Sequence, residues 1–398
     1  MNTKTLGIVI VLLVAVAAGA YWLGTRQAAS PPAATAHKTT PAAPAMPAAP
    51  PKPAGHAVLD FTHFRVGNRN VKAILADGDE IWIGTSGGVI RYNRKSDQHR
   101  MYTTKTGGAL LSNGIFHLSR IGDRIFVGTY GGGLSIYDKA NDKWEILNIP
   151  DGLGDAFVYD VLQTANGDIW IATWSGVNRV VGGALHDRSK WELYTVENTK
   201  GGLPNDWVYG LAAGKDGDVW LATEGGLAHY RNGQWQNWNH QNGLGADYEK
   251  VKADIRFAND PARVSSHHAT QKKEQGLEGV NIAYNPNYIV ALWVADDGTV
   301  WVGTWGGGLG HFDGKTWKNY TVADGLPANH IFMLHGDDQG NLWIGTSNGL
   351  SRYDGKTFRN YSVADGLFSA NVFSMDIDAD GEFWIGSYGG VTRVRGLQ

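Results

Sequence analysis

The chain contains no cysteine, few methionines and little charge of either sign. The missing thiols exclude a disulfide framework, thiolate metal sites, iron–sulfur clusters, a cysteine nucleophile and covalent c-type haem. Charged residues make up 18% of the 398, with 35 basic against 38 acidic and a net charge of -3. That balance excludes a nucleic-acid binder working through a general basic field. No nucleophile elbow, phosphate loop or zinc-helix motif is present. No cofactor is expected. What is abundant is Gly, at 54, and Trp, at 16. Many glycines with many aromatics predict tight turns between short strands, an all-β chain.

Three segments separate by composition. Residues 1–27 hold a 19-residue apolar run, Leu6 to Gly24. At about 1.5 Å per residue such a run is long enough for a bilayer core. Lys4 precedes it, and Tyr21 and Trp22 fall at its far end, where interfacial aromatics would sit. The expectation is one transmembrane helix, in the inner membrane, with the remainder in the periplasm. The alternative is a signal peptide cleaved after Ala18-Gly19-Ala20, releasing a soluble periplasmic protein. Residues 28–57 are rich in Ala and Pro, with eight prolines between Pro31 and Pro53. They read as a disordered, extended linker.

Residues 58–398 repeat. The pattern is aromatic, aliphatic, Gly or Ala, Thr or Ser, then a Gly-containing loop. It recurs at Trp82, Phe126, Trp170, Trp220, Trp301, Trp343 and Trp384, at intervals of 44, 44, 50, 81, 42 and 41 residues. A period near 40–45 with several short strands predicts a β-propeller with one four-stranded blade per repeat, here seven. Outer strands follow at His99, Trp144, Trp191, Trp235, Trp317 and Phe358, one fewer than the repeats. Phe61 to Val66 aligns with Trp317 to Val322, so the N-terminal strand is expected to complete the last blade near Val391 to Arg395. The 81-residue interval is one blade plus an insertion at about 246–284.

The segment DGLPANHIFMLHGDDQGNLWIGTSNGLSRYDGKTFRNYSVADGL, residues 324–367, resembles the two-component regulator propeller repeat, and the likeness covers most of 59–398. The resemblance implies a seven-bladed propeller of the kind found in periplasmic sensor parts of hybrid two-component systems, which take part in detecting ligands such as oligosaccharides. No kinase, receiver or DNA-binding region accompanies it in this chain.

Trp residues that recur at blade period read as packing between blades. The Asp/Gly turns, such as Asp338-Gln339-Gly340, read as hairpin turns; none has the oxygen spacing of a calcium loop. The residue following the repeated Thr or Ser is more variable: Ser86, Tyr130, Trp174, Glu224, Trp305, Ser347 and Tyr388. Strand parity puts these on one end, the top. Trp174, Glu224 and Trp305 are expected to form an arc of two aromatic faces flanking a carboxylate, with Tyr130 and Tyr388 as further ligand-binding candidates. The insertion lies above them. Alternation at Val251, Ala253, Ile255 and Phe257 suggests a β-hairpin, with a helix from Tyr248 to Phe257 as the alternative. His267 and His268 are expected in a solvated loop, and no catalytic or metal-binding residue is assigned.

The leading functional expectation is a non-enzymatic ligand-binding or sensing module taking a small ligand such as an oligosaccharide or peptide. The alternatives are a scaffold that docks another envelope protein and, behind it, a metal-dependent lyase.

Overall fold

A computed structural model describes residues 59–397. Its strands build a β-propeller of six sheets. Five sheets have four strands in chain order. Typical is the sheet of Val208–Ala213, Val219–Thr223, Gly226–Arg231 and Gln234–Trp238. The sixth has six strands, because the first and last repeats are fused. This corrects the expected seven separate blades to six. The cause is one 18-residue strand, Asp60–Asp77. Its first half pairs with Phe383–Arg395, from Asp60 opposite Arg395 to Arg65 opposite Gly390. Its second half pairs with Glu80–Thr85. The chain ends are joined as the repeat arithmetic predicted, but by a strand that never breaks between the two units.

The expected N-terminal transmembrane helix also requires correction. Among the described residues no helix is long and apolar enough to cross a membrane. The structure therefore gives no support to membrane attachment or to a single-pass inner-membrane topology. The run Leu6 to Gly24 itself lies outside the described residues, as does the Pro-rich linker.

The repeated Thr and Gly have a common structural cause. In the fourth repeat, the Thr223 hydroxyl donates to the Gly226 carbonyl at 2.8 Å and accepts from the Gly225 amide at 3.1 Å. The same bond closes the loops at Thr85, Thr129, Thr173, Thr304 and Thr346. These threonines are fully buried, so the bond replaces water that a buried hydroxyl would otherwise lose. Gly226 has φ +132°, and a Cβ there would lie 2.3 Å from the Trp238 carbonyl oxygen. Only glycine permits that approach.

Five of the six tryptophans of the repeated second strand are buried, Trp301 being the exception. Trp82, Trp170, Trp343 and Trp384 are at most 2% exposed and stack on tyrosines or phenylalanines of the same or adjoining blades. The Asp/Gly turns are self-contained: Asp337 accepts from the Gln339 and Asn341 amides and from Trp343 Nε1.

The insertion is neither a hairpin nor one continuous helix. It holds a single helical turn, α1 (Tyr248–Val251), a 3-10 turn at Pro261–Arg263, and α2 (Ser266–Glu274). Val251, Tyr284 and Ala246 form a small core, against which Ile255, Leu277, Val280 and Ile282 pack. Lys272 is buried beneath α2, where its ammonium pairs with Asp260 at 2.9 Å and donates to the Val280 and Ile282 carbonyls. Alternating apolar residues wrap around this interior instead of lining one face of a sheet.

Candidate functional site

Each inner strand carries an irregularity at its first turn of register. The ladder skips one residue at Lys72, Phe116, Tyr159, Tyr209, Val290, Phe332 and Phe373. The fused sheet contributes two of these, Lys72 and Phe373. A skipped residue leaves the pairing and its side chain is re-aimed. Inner strands face the propeller axis, so the seven side chains ring the central channel. The rings touch in series. Phe116 lies 4.7 Å from Tyr159, and Tyr159 lies 4.9 Å from Tyr209. Tyr209 lies 4.8 Å from Tyr288, which stacks on Trp305 at 5.4 Å and 18°. Trp305 then meets Phe332, and Phe332 meets Phe373. Burial raises the Tyr159 and Tyr209 hydroxyls well above the usual tyrosine range, so both stay neutral donors.

The predicted arc is divided among three environments. Trp174 meets Phe157 at 4.4 Å and Trp207 at 4.2 Å, both edge to face. Trp305 belongs to the channel ring. Tyr130 packs on Phe116 and Phe157, and burial lifts its hydroxyl to about 12. Tyr388 sits in the fused sheet, paired with Asn70. Glu224 lies between Trp174 and Trp305 in blade order, but it is fully buried and already engaged. His267 Nε2 donates to one carboxylate oxygen at 3.0 Å and His268 Nδ1 to the other at 2.5 Å. The Trp207 ring lies under His267 at 3.6 Å and 10°, and Tyr288 lies under His268 at 5.6 Å and 23°. The two histidines therefore do not occupy a solvated loop. They lie on α2, where successive residues are about 100° apart, so both can reach one carboxylate. Burial acts to raise the Glu224 pKa; the hydrogen bonds and charges of the two histidines outweigh it and leave the group below the usual glutamate range.

A second foot of the insertion stands on the opposite side of Trp305. Phe257 packs on Trp305, His330 and Phe332 at 5.0–5.6 Å. His330 is buried, bonds through Nε2 to the Ala283 carbonyl at 2.7 Å, and has its pKa pushed down to about 4 by desolvation. The insertion thus covers the top mouth of the channel from Glu224 to Phe332. Chemically the mouth offers flat aromatic faces, tyrosine hydroxyls, one clasped carboxylate and one lysine. Among the described residues no group of three or more His, Asp or Glu side chains is placed to hold a metal ion.

Sequence reasoning missed Trp207, Tyr288, the convergence of His267 and His268 on Glu224, and every member of the channel ring except Trp305. The ring had a readable signal: a Val or Ile followed by an aromatic at the head of the inner strand, as in Ile115-Phe116, Val158-Tyr159, Val208-Tyr209, Ile331-Phe332 and Val372-Phe373.

The fold and this mouth define a β-propeller, and comparison with known proteins refines the class. A family model described as the two component regulator propeller matches residues 152–175, 202–225 and 325–348. No curated protein matches the chain. Among solved structures, the extracellular domain of a protein described as a hybrid two component system from B. thetaiotaomicron is similar, with TM-score 0.63 and 17% identity. The match covers 85% of this chain, which spans only 42% of that one. A catalytically inactive virginiamycin B lyase from Staphylococcus aureus, solved with quinupristin, has TM-score 0.58 and 12% identity, covering 84% of this chain and 99% of that one. YCF48 bound to D1 peptide has TM-score 0.55 and 12% identity, covering 85% and 97%. At these identities the likeness is one of fold. The chain is a β-propeller with three segments that match the two component regulator propeller model, and its fold is similar to that of an extracellular two-component-system domain and of a streptogramin B lyase.

Proposed function

We propose that this protein is a non-enzymatic binding module that takes a small ligand at the top mouth of its channel, with the insertion as its cover. The observation that carries this reading is the two-footed seat of the insertion. His267 and His268 clasp Glu224, and Phe257 wedges against Trp305 and Phe332. Residues from a segment outside the repeat occupy the polar and aromatic groups at the mouth. Both feet are built of contacts that a ligand can replace: hydrogen bonds to a carboxylate and one ring edge on another. Opening costs little backbone structure, because the insertion keeps its own core around Tyr284 and Val251. The aromatic belt suits sugar rings or flat side chains, with the tyrosine hydroxyls fixing orientation.

The test is a thermal-shift screen of oligosaccharides and short peptides against the wild type, Trp174→Ala, Trp305→Ala and a chain lacking residues 258–279. A compound that stabilises the wild type should bind about tenfold more weakly to Trp305→Ala, the loss of one stacking contact of roughly 1–1.5 kcal/mol. Removing the cover should change affinity in either direction. Wild-type binding by all three variants would move the site away from this mouth.

A further inference from the structure

Six of the seven residues expelled from the inner-strand ladders are aromatic or aliphatic; the seventh is Lys72. Its ammonium lies 5.2 Å from the centre of the Phe373 ring, which continues the belt through Phe332 to Trp305. Among the described residues it makes no ion pair and no hydrogen bond. Two carboxylates on other inner strands are committed elsewhere. Asp376 accepts from the Ala76 and Ile377 amides and faces His335. Asp160 accepts from the Leu211 and Val161 amides and faces His117. Arg69, three positions earlier, packs against the Gly87 loop and among the described residues makes no ion pair either. The blade-one side of the mouth is therefore cationic and uncompensated, while the acid of blade four is already clasped. Desolvation also holds the Lys72 ammonium below the ordinary lysine range. A half-buried cation with no counter-charge is costly, and an uncharged aromatic or aliphatic side chain fills the equivalent position elsewhere in the ring.

We propose that Lys72 is the anion-binding group of the channel mouth, and that the ligand is a carboxylate-bearing small molecule whose body lies on the aromatic belt. This rests on the reading of the mouth as the binding site. One ammonium matches one negative charge, and a carboxylate joins a single charge to a ring or chain able to stack on Phe373 and Phe332. Pairing with the carboxylate would supply the counter-charge that the protein withholds, strengthened by the low dielectric of the ring.

The experiment is a tryptophan-fluorescence titration with glucuronate and benzoate, against their neutral counterparts glucose and benzamide, at constant ionic strength. It is run on the full chain and on the chain lacking residues 258–279, so that the cover cannot hide the site. The expected result is that at least one acid binds ten times or more tightly than its neutral counterpart. Lys72→Met should abolish that preference and Lys72→Arg should keep most of it, while Lys72→Met itself melts no lower than the wild type. An acid preference that survives Lys72→Met overturns the assignment. Equal binding of acid and neutral probe, still sensitive to Trp305→Ala, overturns the charge role and leaves the mouth as the site. No binding by any of the four, with or without the cover, overturns the assignment as stated.

Discussion

His267 Nε2 lies 3.0 Å from Glu224 Oε2, across 43 residues of chain, and the His267 ring is stacked on Trp207. This contact ties the insertion to a repeat loop at the top of the channel.

Glu224→Gln keeps the shape but removes the charge from both histidine bonds. Hydrogen bonds to charged groups contribute about 1.5–3 kcal/mol each. The expected effect is local: amide exchange in α2 should accelerate at least tenfold, with little change in the inner strands. Hydrogen exchange read by mass spectrometry checks this, and unchanged protection in α2 would show that the clasp is not what holds the helix.

The same clasp has a pH dependence. The Glu224 pKa is depressed in the folded state, below the 4.5 of a free side chain. The stability it contributes is fully present above about 4.5 and is lost as pH falls through the lower, folded value. Protection of α2 should therefore hold above about pH 4.5 and fall as the pH is lowered through the folded value, and Glu224→Gln should flatten that part of the profile.

His330 acts in a higher window. Its folded pKa is about 4, against 6.5 for a free imidazole. Between these values the unfolded chain binds more protons, so stability rises with pH and is fully present above 6.5. At about 1.4 kcal/mol per unit, the loss on going from pH 6.5 to 4 is roughly 3 kcal/mol. Denaturant melts of the wild type and His330→Gln over this range should differ in slope by close to one proton.

The tryptophans of the repeat and of the mouth should separate. Trp343 is fully buried and its Nε1 donates to Asp337 at 2.8 Å. Trp343→Ala should cost about 3–5 kcal/mol, while Trp305→Ala at the partly open mouth should cost less. Equilibrium unfolding compares them directly.

Deletion of residues 59–66 removes the pairing of Asp60 through Arg65 with the strand Phe383–Arg395. It also removes Phe64 and so uncovers Trp384, on which that ring stacks. The melting temperature should drop sharply; an unchanged value would show that the fused sheet does not close the propeller.

The repeat was legible because three local constraints recur in it: the buried Trp, the Thr that bonds a loop carbonyl, and the Gly forced by that closeness. The joining of the chain ends was legible from strand counting. The fusion of first and last units was not, since nothing in Val66-Gly67-Asn68-Arg69 announces that the strand runs on through Gly67. The site was half legible. Variable positions after the Thr marked the top, yet Glu224 alone could not reveal partners from 43 residues away. His267 and His268, read as part of a solvated loop, had no expected common partner. On α2 they converge. Helix α2 itself was hidden because it is polar around its surface and held by the Lys272–Asp260 pair rather than an apolar stripe.

The most direct test of a covered binding mouth is hydrogen exchange of the full chain with and without a compound shown to stabilise it. Binding at the mouth predicts slower exchange in the inner strands at Val208–Ala213 and Asn285–Val294, together with altered exchange in α2 as the cover shifts or clamps. Stabilisation accompanied by no change in either the inner strands or α2 would contradict the account.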